Sequence, residues 1–399
     1  MIEEKLNLLS QAFSPSAPIA SRDLFRGRQI QLDATCDAIN ERGQHFILYG
    51  ERGVGKTSLA NIINTCLKNV VVAKVTCNRN EDFRQVWEKA LAKVRFIQQH
   101  EGVGFHPQVI STPVQLDLFL PEKDRIDPLD VQSVLERVQS HLLFIFDEFD
   151  SITDKQFKMA FADTVKTVSD NSPRVTIGIV GIASSVEVLI GNHPSLQRCL
   201  KQIQMPRMSK RELGEIIAKG LDIVRIKMDP AVEERIIDFS SGFPHFTHLL
   251  AKHACRHCIL AESNSVNMEH HKAAINDAIK DTNQSIRDSY QKATIASKAE
   301  SKFEDVIAAC ALAPDDEFGS FASRELVEPY YRVTGHRVKP QSLQYNLRTL
   351  CEPERGSVLI KMGESKNIRY AFANPLMKVF VKLKLDQKGS YEQPNLLDT

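Results

Sequence analysis

One run of eight residues, Gly50-Glu51-Arg52-Gly53-Val54-Gly55-Lys56-Thr57, has types and spacing suited to holding phosphate. It fits the pattern G-x-x-x-x-G-K-[ST] without deviation. Glycines let backbone N–H groups turn inward where side chains would clash, and a helix starting near Lys56 points its positive dipole end the same way. Lys56 would contact the β- and γ-phosphates and Thr57 would ligate Mg²⁺, with Ser58 next at the loop's exit.

A second element has matching chemistry. Leu142-Leu143-Phe144-Ile145-Phe146 is a buried strand that ends in two adjacent carboxylates, Asp147 and Glu148. Asp147 at the strand tip is placed to hold Mg²⁺ through its water shell. Glu148 can polarise an attacking water as general base.

These groups need a scaffold that brings two strand ends together. Short apolar runs at 45–49, 70–75, 142–146 and 175–182 suit parallel strands buried on both faces. Amphipathic helical patterns lie at 28–41, 56–68, 81–97, 129–138 and 155–168, and the alternation predicts a doubly wound α/β domain over 21–207. Residues 100–128, with four prolines, read as an irregular insertion. The pattern is helical over 208–295, which predicts a small α-helical lid. Over 296–386, helices at 302–312, 321–333 and 340–350 precede an apolar-flanked turn in VLIKMGESKNIRYAF, the order of a winged helix. Residues 1–20 read as an amphipathic extension with a Pro-rich linker, and 387–399 as a disordered tail.

A phosphate loop, an Asp-Glu strand end, a further strand with a polar end and a helical lid together resemble the AAA+ P-loop ATPases. Arg22-Asp23-Leu24-Phe25-Arg26-Gly27-Arg28 resembles the F-x-G-R segment of the bacterial origin-recognition-type and STAND-type members. That likeness implies ATP and Mg²⁺ as cofactors, with Phe25 bordering the adenine. Thr176 to Ser185 resembles their sensor-1 strand, which implies that Ser184 faces the γ-phosphate. Arg198 stands where the family carries an arginine finger reaching a neighbouring subunit, with Arg207 as a competitor, so a homo-oligomer is implied. Gly242-Phe243-Pro244-His245 resembles the STAND G-x-P motif at the sensor-2 position. There Pro244 would pack near the adenine, and His245 stands where origin-recognition-type proteins usually carry arginine.

Bulk properties narrow the remaining choices. Net charge is +1, so any preference for nucleic acid must be local. No apolar run approaches a bilayer span, and Glu3 and Glu4 sit where a signal peptide carries positive charge, which predicts a cytoplasmic protein without membrane contact. The eight cysteines are scattered. Cys255-Arg256-His257-Cys258 invites a zinc reading, but it lacks a second pair and lies on an amphipathic helical pattern that accounts for buried thiols. Residues 337–384 hold ten basic residues against three acidic ones. Pro340 to Leu350 could then enter a DNA major groove, with Lys361, Lys366 and Arg369 on phosphates. Alternatively, the winged helix binds a protein effector or restrains the ATPase.

Overall fold

A computed structural model describes residues 2–15, 27–67, 69–101, 109–182, 186–190, 196, 198–282, 284–295, 302–316, 319–363 and 368–389. They form two compact units, one of residues 19–51 and 55–205, the other of 1–18, 52–54 and 206–399. After α1 (Ile2–Ala12) of the second unit, the first unit runs α2 (Gln29–Asn40), β1 (His45–Gly50), α3 (Lys56–Cys66), β2 (Val70–Thr76) and α4 (Phe83–Leu91). It continues with β3 (Arg95–Glu101), β4 (Val109–Gln115), α5 (Pro128–Leu135), β5 (His141–Asp147), α6 (Lys155–Asn171), β6 (Val175–Ile182), α7 (Val186–Ile190) and β7 (Leu200–Gln204).

Five of these strands form one parallel sheet in the order β2-β5-β6-β1-β7. β1, β5 and β6 are almost wholly buried, as their unbroken apolar runs require. Gly178 in β6 is fixed by close approach, since a Cβ there would sit 2.2 Å from Cζ of Phe46. On one face Trp87 packs edge-on to Phe146 at 5.0 Å and stacks on Phe161 at 5.8 Å. Capping sets the helix starts: Asp82 and Gln85 form a reciprocal box at α4, and Asp127 does the same with Asp130 at α5.

Two expectations for this unit need correction. The helical pattern over 81–97 stops at Leu91, because Arg95 begins an extended strand. The stretch 100–128 is also more regular than its prolines suggest. β3 and β4 pair as an antiparallel ribbon with Arg95 opposite Gln115, and a 3₁₀ turn spans Leu116–Phe119.

The second unit is mainly helical. It contains α8 (Lys210–Val224), β8 (Lys227–Met228), α9 (Pro230–Ser240), α10 (Pro244–Leu260), β9 (Ser265–Val266), α11 (Met268–Asp281) and α12 (Gln284–Thr294). There follow α13 (Phe303–Leu312), β10 (Ser320–Phe321), α14 (Val327–Thr334), α15 (Pro340–Thr349), β11 (Leu359–Met362), β12 (Arg369–Phe372) and α16 (Leu376–Gln387). β11 and β12 pair antiparallel on either side of the turn expected at 363–367, of which 364–367 lie outside the described residues, and β10 joins β12 to complete three strands. α1 belongs to this body: Phe13 is fully buried and meets the His248 ring of α10 edge-on at 5.9 Å. α16 was not anticipated, and it carries the chain one residue past the expected tail boundary. Among the described residues no helix is long and apolar enough to cross a membrane.

Candidate functional site

β1 ends at Gly50, where φ is 151° and an added Cβ would lie 2.4 Å from the carbonyl oxygen of Met205. Only glycine satisfies both conditions. The loop continues through Gly53 (φ 86°) and Gly55 (φ 98°), and α3 starts at Lys56 with Gly55 as its N-cap. The first-turn N–H groups of α3 have no intrahelical partner, so they and the loop amides suit an anion. Ser58 follows in that first turn.

Lys56 is 7% exposed, and its Nζ donates to the loop's own carbonyls, Gly50 O at 3.0 Å and Glu51 O at 2.7 Å. Burial pushes its ammonium down to about 8, against the opposing pull of Asp150, Asp147 and Glu51. The lysine is thus folded back into its own loop. Phosphate oxygens would replace the two carbonyls as acceptors.

β5 delivers the carboxylates. Asp147 is buried, and its Oδ1 accepts from the backbone N–H of Glu148 at 2.9 Å and from Thr57 Oγ1 at 3.4 Å. The phosphate loop's hydroxyl and the β5 carboxylate therefore meet, although one strand, β6, lies between β1 and β5. Hard oxygen donors from Thr57 and Asp147 fit a divalent cation completed by phosphate and water. Glu148 is exposed and sits in the left-handed region at φ 55° and ψ 35°, turning the chain sharply at the strand end.

Three residues that sequence reading passed over belong to this site. Lys74 of β2 pairs with Asp147 Oδ2 at 2.9 Å and donates to Asn61 of α3 at 2.7 Å. Asp150, in the turn after Glu148, accepts from Ile182 N at 2.7 Å and so ties the ends of β5 and β6 together. A lone lysine in the run Val-Val-Val-Ala-Lys-Val-Thr was the available signal for Lys74.

The remaining candidates lie elsewhere or fall outside the described residues. Phe25, Ser184 and Lys366 are outside them. Arg198 is on the surface, its side chain 71% exposed and paired with Asp170 at 2.8 Å. In the helical unit Pro244 is the first residue of α10, and the ring Nδ1 of His245 lies 2.8 Å from Pro15 O. Arg207 is committed internally: it pairs with Asp315 at 2.5 Å and stacks over the Phe243 ring at 4.8 Å. Cys255 and Cys258 are buried on α10, and burial pushes both thiols up.

Among the described residues the fold absorbs part of the basic count over 337–384. Arg369 was expected on phosphates, but it is held by Asp316 at 3.0 Å, by Ser320 Oγ at 2.7 Å and by Glu325 at 3.4 Å. Lys378 and Lys382 are buried. Lys361 is exposed, as are Gln341, Gln344, Tyr345 and Arg348 along α15.

A parallel sheet of this strand order, with a glycine-lysine loop after β1 and an Asp-Glu pair after β5, is the core of a P-loop NTPase with an AAA+-like fold. The chain belongs to the novel STAND NTPase 1 family, whose sequence model matches residues 15–297. In fold it is similar to the ORC2 protein of Aeropyrum pernix, solved as ADPNP and ADP complexes, at 15% identity and TM-score 0.50, covering 95% of this chain and 98% of that one. It is also similar to a Walker-type ATPase of Pyrococcus abyssi, at 14% identity and TM-score 0.53, covering 92% and 99%. No curated protein matches it in sequence.

Proposed function

We propose that the chain is a nucleotide-operated switch that binds ATP with Mg²⁺ on the loop Gly50–Thr57 and hydrolyses it to change conformation and assembly. The meeting of Thr57 and Asp147 beside the buried Lys56 carries this reading. Lys56 exchanges its loop carbonyls for phosphate oxygens, and the α3 N-terminus adds its dipole. Thr57 and Asp147 would hold the metal, which when bound neutralises phosphate charge. Glu148 takes a proton from the attacking water. The ADPNP and ADP complexes of the similar archaeal protein support an adenine nucleotide. The ATPase domain spans 21–207, residues 208–295 act as its helical lid, and Arg198 completes the site of a second copy of the chain.

The 296–386 segment is the output module of this switch, a winged helix built from α13 to β12. Its partner on this reading is a protein effector, as the resemblance to STAND-type ATPases implies. A duplex is the second reading, favoured by one observation: α15 buries Leu343 and Leu347 while presenting Gln341, Gln344, Tyr345 and Arg348 outward. Those are groups able to read base edges or stack.

Two measurements on the full chain test these readings. Equilibrium binding of ATP with and without Mg²⁺ should show tight binding that Lys56→Ala abolishes; equal binding by the variant would sink the nucleotide site. Duplex affinity measured over a salt series should weaken in Gln344→Ala and Arg348→Ala. Affinity indifferent to both substitutions would leave the effector reading alone.

A further inference from the structure

β2 carries one charged residue, Lys74, among apolar neighbours. Alternation along the strand sends Ala73 and Val75 into the core with Trp87 and sends Lys74 to the opposite face. There its ammonium reaches Asn61 Oδ1 at 2.7 Å and Asp147 Oδ2 at 2.9 Å. Asn61 lies four residues beyond Thr57, so the two polar side chains share one face of α3. Asp147 is only 3% exposed, and a buried carboxylate without a cation is strongly unfavourable. Its Oδ1 is already held by Glu148 N and Thr57 Oγ1, so the carboxylate keeps its orientation without Lys74. What Lys74 adds is charge on the other oxygen.

We infer that Lys74 is a built-in counter-ion for the metal-binding carboxylate Asp147. The ammonium occupies Oδ2 while no divalent cation is bound, and an arriving cation must displace it or share the carboxylate with it. Asn61 is the second acceptor that keeps the ammonium hydrogen-bonded when it gives way. Lys74 is therefore a positioning residue: it sets how much divalent cation the site needs and adds, beside Lys56, a second cation to the carboxylate. This rests on the nucleotide-site reading above.

The test uses the full chain, Mn²⁺ as the probe ion followed by electron paramagnetic resonance, and saturating ADP. Lys74→Met removes the charge and keeps the length; Lys74→Arg keeps the charge. Lys74→Met should bind Mn²⁺ on the order of tenfold more tightly than wild type, and Lys74→Arg should match wild type. Without ligands Lys74→Met should melt at a lower temperature, and Mn²⁺ with ADP should recover it where ADP with EDTA does not. Equal or weaker Mn²⁺ binding by a cooperatively melting Lys74→Met overturns the inference. If that variant does not fold, Asn61→Leu decides: it removes the alternative acceptor, so Mn²⁺ should bind more weakly, and unchanged affinity overturns the inference. ADP binding that is normal while Mn²⁺ affinity ignores position 74 removes this inference alone. A wild type that does not bind ADP removes the nucleotide-site reading and this inference together.

Discussion

Arg207 and Lys378 hold the same carboxylate from opposite sides: Arg207 donates to Asp315 Oδ2 at 2.5 Å, and Lys378 pairs with Oδ1. All three are largely buried, and Lys378 also donates to the Ala313 carbonyl at 3.1 Å. Asp315 thus anchors α16 to the segment leading into α8. Removing it leaves two buried cations facing each other. Asp315→Ala is expected to destabilise this unit by about 3–5 kcal/mol in urea unfolding. A loss below about 1 kcal/mol would mean that water already screens the cluster.

Lys56 and Glu148 should separate binding from turnover. Lys56→Ala leaves the phosphate loop without its cation and should lose nucleotide binding. Glu148→Gln keeps the loop intact but loses the proton acceptor, so it should bind ATP and retain it, with turnover reduced about a hundredfold or more. Single-turnover assays with labelled ATP distinguish the two. Wild-type turnover in Glu148→Gln would remove Glu148 from the reaction.

Arg198 is predicted to act in a neighbouring copy's site. Its pair with Asp170 is too exposed to matter for stability, so the arginine is free to change partners. Arg198→Ala should bind ATP normally yet fail to hydrolyse it. Mixing it with Glu148→Gln should restore some activity, since one mixed interface then contains both intact residues. No recovery in a mixture shown to co-assemble counts against the assignment.

Two buried histidines predict an acid-sensitive helical unit. Burial pushes His248 and His271 down to about 4, and both ring nitrogens of each are without a hydrogen-bond partner. As pH falls, the unfolded chain takes up protons near 6.5 and the folded chain only near 4. Stability is therefore fully present above about pH 6.5 and is lost below it, by about 2 kcal/mol per histidine at pH 5. His271→Phe preserves the stack on Phe239 and should weaken the pH dependence between 7 and 5. An unaltered slope in urea unfolding would show that His271 is not the source.

The sheet's centre and its chemistry were legible because both are written locally. β1, β5 and β6 are unbroken apolar runs, and the phosphate loop and Asp-Glu pair are contiguous. β7 escaped notice because Leu-Lys-Gln-Ile-Gln is a short edge strand that buries only Leu200 and Ile203. α16 was not read as a helix, and Lys378 and Lys382 counted in sequence as surface charge; both are buried because Asp315 and the Asp238 carbonyl meet them, partners far away along the chain. The pairing of Lys74 with Asp147 was hidden for the same reason, since it depends on β2 lying beside β5. Arg369 shows the converse. Its charge was plain, but the ring of Asp316, Ser320 and Glu325 that absorbs it belongs to the tertiary structure.

With Glu148 as the proposed general base, its left-handed backbone would put durability and work in opposition at a single position. An L-residue with a long side chain is strained there by about 1 kcal/mol, whereas glycine or asparagine adopts the same angles readily. Glu148→Gly should therefore be the hardier protein and the idle one. A laboratory selection for heat tolerance alone would then drift away from the carboxylate.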